Sequence, residues 1–319
     1  MNKLNQNPPH EDPKTKGHQE SDENKDRSKC LYCSYENYSE ASKYYDSYRR
    51  PVAVEEIVTN IQQHAANFKV APEDLVIADL GCGTGNYITE LTNRIHFKRF
   101  IGVEYNEGML GRAKSKLEGK KGVEFIQASI LDLPLKKEEV DVVIINQVLH
   151  HLDSEPAVDS NGEPDFPNLR LALQEIRKIL KASGLLLINF LDPIQLKGFW
   201  QISHLMVTAK LGKMMSRFAD HEFYKRELKN AGFDIKSMHK VSEFLMDDKY
   251  YLDTKLVLDP NFRKANSFWA LLSPKETEDA LKRFHKIISF FGEAPFQEII
   301  KKEAEFYGQS TEVISTKLP

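Results

Sequence analysis

Three glycines spaced two apart, Gly81, Gly83 and Gly85, follow the acid Asp79 and precede a helix-forming stretch from Asn86. Glycine carries no Cβ, so such a loop turns sharply and lets a ligand approach the backbone. The spacing reads G-x-G-x-G, whereas dinucleotide loops read G-x-G-x-x-G. A second acid, Glu104, ends the next apolar run, Phe100 to Glu104, where a carboxylate can accept two hydrogen bonds from sugar hydroxyls. Candidates for moving a proton are His150 and His151, just beyond the run Val140 to Asn146, together with Tyr48 and Tyr251. Cys82, inside the glycine loop, reads as small packing rather than as a nucleophile.

These residues require a scaffold that brings strand ends together. Short apolar runs at Leu75 to Leu80, Phe100 to Glu104, Val123 to Gln127, Val140 to Asn146 and Leu185 to Leu191 suit strands buried on both faces. Helical patterns lie between them at Asn86 to Arg94, Asn106 to Leu117 and Leu169 to Leu180, as parallel crossovers require. The predicted fold class is α/β, a Rossmann-like doubly wound sheet. Past the fifth strand, a helical segment is expected over Ile194 to Phe218, another over Glu222 to Asn230, and a strand from Phe233 through Val241.

The order of these motifs resembles the class I S-adenosylmethionine-dependent methyltransferases, in their small-molecule, type 11 or UbiE-like group. The resemblance is best over Leu75 to Leu191 and weaker over Tyr38 to Val241. It implies a mostly parallel seven-stranded sheet with an antiparallel last strand, and S-adenosyl-L-methionine as cofactor. By the same resemblance, Asp79, Gly81, Cys82, Gly83 and Gly85 hold the cofactor, with Glu104 at its ribose, Tyr105 beside Glu104 also at the cofactor, Met109 near the adenine, and Ser129, Ile130 and Asn146 along the following strand ends. Ser129 falls where the family usually has an acid for the adenine amino group, with Asp132 as the alternative in another register. Leu180 to Gly184 keeps one glycine of the family's usual turn and lacks its proline. Tyr45 and Arg49 lie in a segment similar to the short helix that related enzymes fold over the cofactor.

The only suitable last strand is Thr311 to Lys317, so roughly 65 residues of amphipathic, mostly helical sequence are interposed before it. The expected organisation is a disordered tail over 1–36, a cofactor-binding core with its cover helix over 37–241, a helical cap insertion over 242–309, and the last strand over 310–319. The aromatic residues Tyr250, Tyr251, Phe262, Phe268 and Trp269 are expected to form the core of the cap.

The chain has 319 residues, 41% hydrophobic and 29% charged, with a net charge of -3. That balance offers no basic face for nucleic acid. No apolar run is long enough for a membrane span. Three cysteines suit a reducing compartment, and a cytoplasmic address is expected. Cys30 and Cys33 have the spacing of half a zinc site with no second pair nearby, so no metal is expected. The expected partner is a small-molecule acceptor, with oligomeric state open. A nicotinamide-dependent oxidoreductase and a catalytically idle binding protein of the same fold are the competing readings.

Overall fold

A computed structural model describes residues 38–153, 156–206, 212 and 214–319. The expected tail over 1–36 and the Cys30–Cys33 pair lie outside the described residues. Seven strands form one sheet: β1 (Val76–Leu80), β2 (Arg99–Glu104), β3 (Val123–Gln127), β4 (Val140–Asn146), β5 (Leu180–Phe190), β6 (Phe233–Val241) and β7 (Ser310–Lys317). Their order is β3-β2-β1-β4-β5-β7-β6. β1 pairs in parallel with β2 and β4, β2 with β3, and β4 with β5. β7 runs antiparallel to both β5 and β6.

Every residue of β1 and β4 is buried, which is why these strands read as unbroken apolar runs. Helices cover both faces. α1 (Tyr38–Tyr48) and α2 (Val54–Phe68) precede the sheet, α3 (Asn86–Leu91) follows the glycine loop, and α4 (Glu107–Lys116) follows β2. Asn106 caps α4, its side-chain oxygen accepting from the Met109 amide at 3.0 Å. α5 (Pro167–Ile179) buries Leu169, Ala172, Leu173, Ile176 and Ile179, the three-and-four spacing of a helix packed by one stripe. α6 (His221–Asn230) leads through Gly232, in a left-handed conformation at φ 77°, into β6.

Two local expectations are corrected. β5 begins at Leu180 rather than Leu185, because the residues expected as a turn pair with Val140 across a register shift. Ser183 takes a positive φ of 60° there, and Lys181 Nζ sits 2.8 Å from the Asp141 carboxylate. The stretch after β5 is not one helix from Ile194. Asp192 and Gln195 form a capping box around a six-residue 3₁₀ turn, Pro193–Gly198, and a wider turn follows at Gln201–Leu205.

Between β6 and β7 lie α7 (Asp248–Tyr251), α8 (Pro260–Lys264), α9 (Ser267–Ala270), α10 (Pro274–Phe291) and α11 (Glu293–Tyr307). Trp200, Tyr251, Phe262, Phe284 and Phe296 form a shared apolar core joining these helices to the turns after β5. No described helix is long and apolar enough to cross a membrane.

Candidate functional site

The carboxyl ends of β1, β2 and β4 converge on a cavity of about 590 Å³ that α1, α8 and α9 also line, with α1 packed against α8. Clefts at this edge of a parallel sheet are where such folds bind ligands.

Gly81 has φ 77°, and a Cβ there would stand 2.5 Å from a methyl group of Val148. Gly83 has φ 55° and faces open space, so its backbone is available to a ligand. Gly85, at φ 78°, packs against Ala113 and Leu117 and does not line the cavity; its part is to start α3. Cys82 is buried within the loop, which pushes its thiol well above the usual range and suits the packing role.

Glu104 Oε2 accepts from the Gly83 amide at 3.0 Å and Oε1 from the Asn106 amide at 2.7 Å. Burial still raises its carboxyl above the ordinary range. Asp79 lies behind the loop. Burial, and then the charge of Glu104, push it up to about 7. Asp79 Oδ2 and both amide atoms of Asn146 are buried with no hydrogen-bond partner. Such groups cost roughly 1 to 3 kcal/mol each when unsatisfied; Asn146 lines the cavity, where a polar ligand can partner it, whereas Asp79 does not line it.

Tyr105, Met109, Ser129 and Ile130 line the same end of the cavity. Ser129 Oγ accepts from the Leu131 amide at 3.1 Å and keeps a further lone pair. Asp132 is exposed and lies away from the cavity, which supports the register that selects Ser129. α1 contributes Tyr45 and leads directly into Arg49, which also lines the cavity. It is tied to the glycine loop by Thr84 Oγ1, which donates to Asp46 Oδ1 at 2.5 Å, and Asp46 also pairs with Lys116 at 2.7 Å.

His150 and His151 also line the cavity, their rings 3.9 Å apart, with His150 stacked on Phe218 at 4.5 Å. Burial, then the neighbouring His151 and Arg49, hold His150 well below the usual histidine range. Arg217 Nη2 stands 3.1 Å from His151 Nδ1. A guanidinium can only donate, so Nδ1 accepts and the ring proton belongs on Nε2.

The two tyrosines are placed elsewhere. Tyr251 is 2% exposed and does not line the cavity; its hydroxyl donates to the Gly198 carbonyl and accepts from Gln309 Nε2 at 3.2 Å. Tyr48 donates to Asp259 Oδ2 at 3.4 Å and packs edge-on against Tyr250 and Phe262, also outside the cavity. Both are therefore framework side chains. Phe268 and Trp269, by contrast, line the cavity while remaining buried. Residues not singled out from sequence also reach it: Tyr87, which accepts from the Val52 amide at 3.1 Å, and the cations Arg50, Arg217, Arg263 and Lys264. Single charges and adjacent pairs far apart in sequence carry no periodic signal, so only the tertiary fold brings them together.

Residues 78–188 match the family described as "Methyltransferase domain". A demethylmenaquinone methyltransferase of Lactococcus lactis is 34% identical over 113 residues, 34% of this chain and 39% of that protein. A malonyl-[acyl-carrier protein] O-methyltransferase of Legionella pneumophila is 26% identical over 48% of each chain. A ubiquinone/menaquinone biosynthesis C-methyltransferase UbiE of Campylobacter jejuni is 27% identical over 51% of this chain and 72% of that one. The first two matches thus span less than half of each relative's length. Among solved structures, a protein of Anabaena variabilis described as a methyltransferase of an antibiotic biosynthesis pathway superposes with a TM-score of 0.58. It is 20% identical, over 85% of this chain and 99% of that one, which shows a shared fold.

Proposed function

We propose that the chain is a class I, UbiE-like methyltransferase that transfers the methyl group of S-adenosyl-L-methionine to a small-molecule acceptor held beneath α8 and α9, a reading that the methyltransferase-domain match over residues 78–188 supports. The observation that carries the reading is the polar wall at the strand ends. A buried carboxylate beside an open Gly83 backbone, with the unsatisfied Asn146 amide lining the cavity and Asp79 Oδ2 unsatisfied behind the loop, fits a ligand rich in hydroxyl and amino groups. The G-x-G-x-G spacing supports this cofactor over a nicotinamide dinucleotide.

In this reading Glu104 accepts from the ribose hydroxyls, Met109 and Ile130 flank the adenine, Ser129 receives its amino group, and Asp79, Asn146, Tyr45 and Arg49 face the amino-acid end. When bound, the cofactor supplies a methyl group already activated by its sulfonium. The chain then has to orient the acceptor and exclude water, and orientation alone contributes roughly 7 to 11 kcal/mol to such reactions. α1, locked to the loop through Asp46 and Thr84, covers the cavity. Phe218, Phe268 and Trp269 wall it. His150, held neutral, is placed to accept a proton from an acceptor that must lose one. His151, fixed by Arg217, is placed as a hydrogen-bond donor.

The helices over 242–309 act as a cap that selects the acceptor, as additions to a rigid scaffold commonly do. The sparse cysteine content supports a cytoplasmic address. Isothermal titration with S-adenosylhomocysteine and, in parallel, NADH tests the cofactor. Saturable binding of the first alone is expected, and binding of NADH alone would overturn the reading.

A further inference from the structure

A row of polar side chains crosses the sheet at the edge of the cavity. Asn146 of β4, Asn189 of β5 and Glu312 of β7 are partners in register, so their side chains share one face. Asn189 and Glu312 are each 1% exposed. Polar groups buried so deeply cost stability unless they are hydrogen-bonded, and here the bonds form a directed chain. Asn189 Nδ2 donates to Glu312 Oε2 at 2.9 Å, which turns the Asn189 amide oxygen the other way, where it accepts from Gln147 Nε2 at 2.7 Å. Burial pushes the Glu312 carboxyl up to about 8, so at neutral pH it is an uncharged acid whose Oε2 still accepts.

The chain ends at Gln147, which lines the cavity. Its backbone is fixed as well, with φ at 56° and its N–H donating to the Asn189 carbonyl at 2.8 Å. With the amide nitrogen turned to Asn189, the carbonyl oxygen is the end left to the cavity, and it accepts from no described residue. Gln147 follows Asn146, assigned above to the cofactor, and precedes the turn Leu149–His151 that carries His150. It therefore stands between the methyl donor and the candidate base. Much of the cavity wall is apolar, with Leu191, Leu196, Phe199, Ile202 and Met214. An amide oxygen bared in such a wall favours a ligand that brings a hydrogen-bond donor, because a ligand without one leaves the oxygen unsatisfied. A protonated amine would need a carboxylate partner, and among the described lining residues Glu104 is the one carboxylate, assigned above to the ribose.

We propose that Gln147 is a specificity-determining residue for the methyl acceptor: its carbonyl oxygen receives a neutral hydroxyl of an otherwise apolar molecule. Asn189 and Glu312 are positioning residues that act through it. Their chain sets which end of the amide meets the ligand, since a flipped Gln147 would turn its NH₂ group to the cavity and its oxygen to the Asn189 oxygen.

This inference rests on the methyltransferase reading, and its test keeps the two apart. A metabolite extract is divided into a part left untreated, a part acetylated with acetic anhydride, and a part acetylated and then exposed to mild alkali, which frees oxygen and leaves nitrogen blocked. Each is incubated with the full chain and methyl-labelled S-adenosylmethionine, with S-adenosylhomocysteine binding measured on the same preparation. Label is expected from the untreated and the alkali-treated parts only. In the active pool Gln147→Leu should raise the acceptor's KM by roughly three- to tenfold, the range of one neutral hydrogen bond, with S-adenosylhomocysteine affinity unchanged. Glu312→Leu should raise it comparably, and Glu312→Gln, whose carbonyl still accepts from Asn189, should restore it. Joined to Gln147→Leu, Glu312→Leu should add nothing further, whereas an unrelated structural defect would add. Should Glu312→Leu fail to fold, Gln147→Leu at the cavity wall decides alone. Label from the acetylated part, label from the untreated part alone, or none while S-adenosylhomocysteine still binds would overturn the hydroxyl acceptor. An unchanged KM in folded Gln147→Leu, or an equal loss of S-adenosylhomocysteine affinity, would remove Gln147 from the acceptor. Failure to bind S-adenosylhomocysteine would overturn the function beneath it.

Discussion

Replacing Glu104 by Gln exchanges one carboxylate oxygen for an NH₂ group and isolates the part its charge plays. Both carboxylate oxygens already accept, one from the Gly83 amide at 3.0 Å and one from the Asn106 amide at 2.7 Å. Glutamine offers one accepting oxygen, so one backbone N–H must face an NH₂ group. The cofactor's ribose meets a neutral acceptor in place of a charged one. A hydrogen bond to a charged group contributes roughly 1.5 to 3 kcal/mol, and a neutral one about half as much. Two such bonds weakened by half lose roughly 1.5 to 3 kcal/mol together, or about 10- to 150-fold in affinity at about 1.4 kcal/mol per tenfold. The assay is calorimetric titration of S-adenosylhomocysteine at pH 8, with thermal unfolding of both proteins as the control for fold. A dissociation constant within about twofold of the parent in a folded variant would refute the placement of the ribose on Glu104.

The central strands and the glycine loop were legible in the sequence, because a strand buried on both faces is a continuous apolar run and a ligand-cradling loop demands glycines. The strand around Leu180 was not, since its pairing depends on a register shift opposite Val140 that no local pattern signals. Tyr251 and Trp269 read alike as aromatic residues of the cap, yet one supports the Gly198 carbonyl in the core and the other walls the cavity. The cations Arg217, Arg263 and Lys264 were equally silent, since Arg217 lies in the turn before α6 and the adjacent pair ends α8, and only the fold joins them.

Further outcomes follow from the same geometry. Tyr251→Phe should cost about 1 kcal/mol of stability through its lost hydroxyl bonds and leave both Michaelis constants in place, whereas Trp269→Ala should raise the acceptor's KM with cofactor affinity unchanged; steady-state kinetics beside thermal unfolding separate them. Gly81→Ala should weaken the cofactor and destabilise the fold, since it forces a positive φ on alanine and a methyl group against Val148; unaltered melting and binding would contradict the loop geometry. Burial pushes Glu312 from 4.5 up to about 8, so between those values the folded chain keeps a proton that the unfolded chain has lost. Stability contributed by this group therefore falls as pH rises from about 4.5 to 8, and Glu312→Gln should stabilise the protein more at pH 8.5 than at pH 5; equal shifts at both would refute the assignment.

The central claim is that this cavity performs methyl transfer rather than merely holding a nucleotide. The direct measurement is the stoichiometry of turnover: S-adenosylhomocysteine formed from S-adenosylmethionine against label gained by the acceptor pool. The account predicts equal amounts of both, dependent on added acceptor and reduced in Glu104→Gln. Tight cofactor binding with neither product formed across acceptor pools of every charge would contradict it and leave a binding protein on a methyltransferase fold.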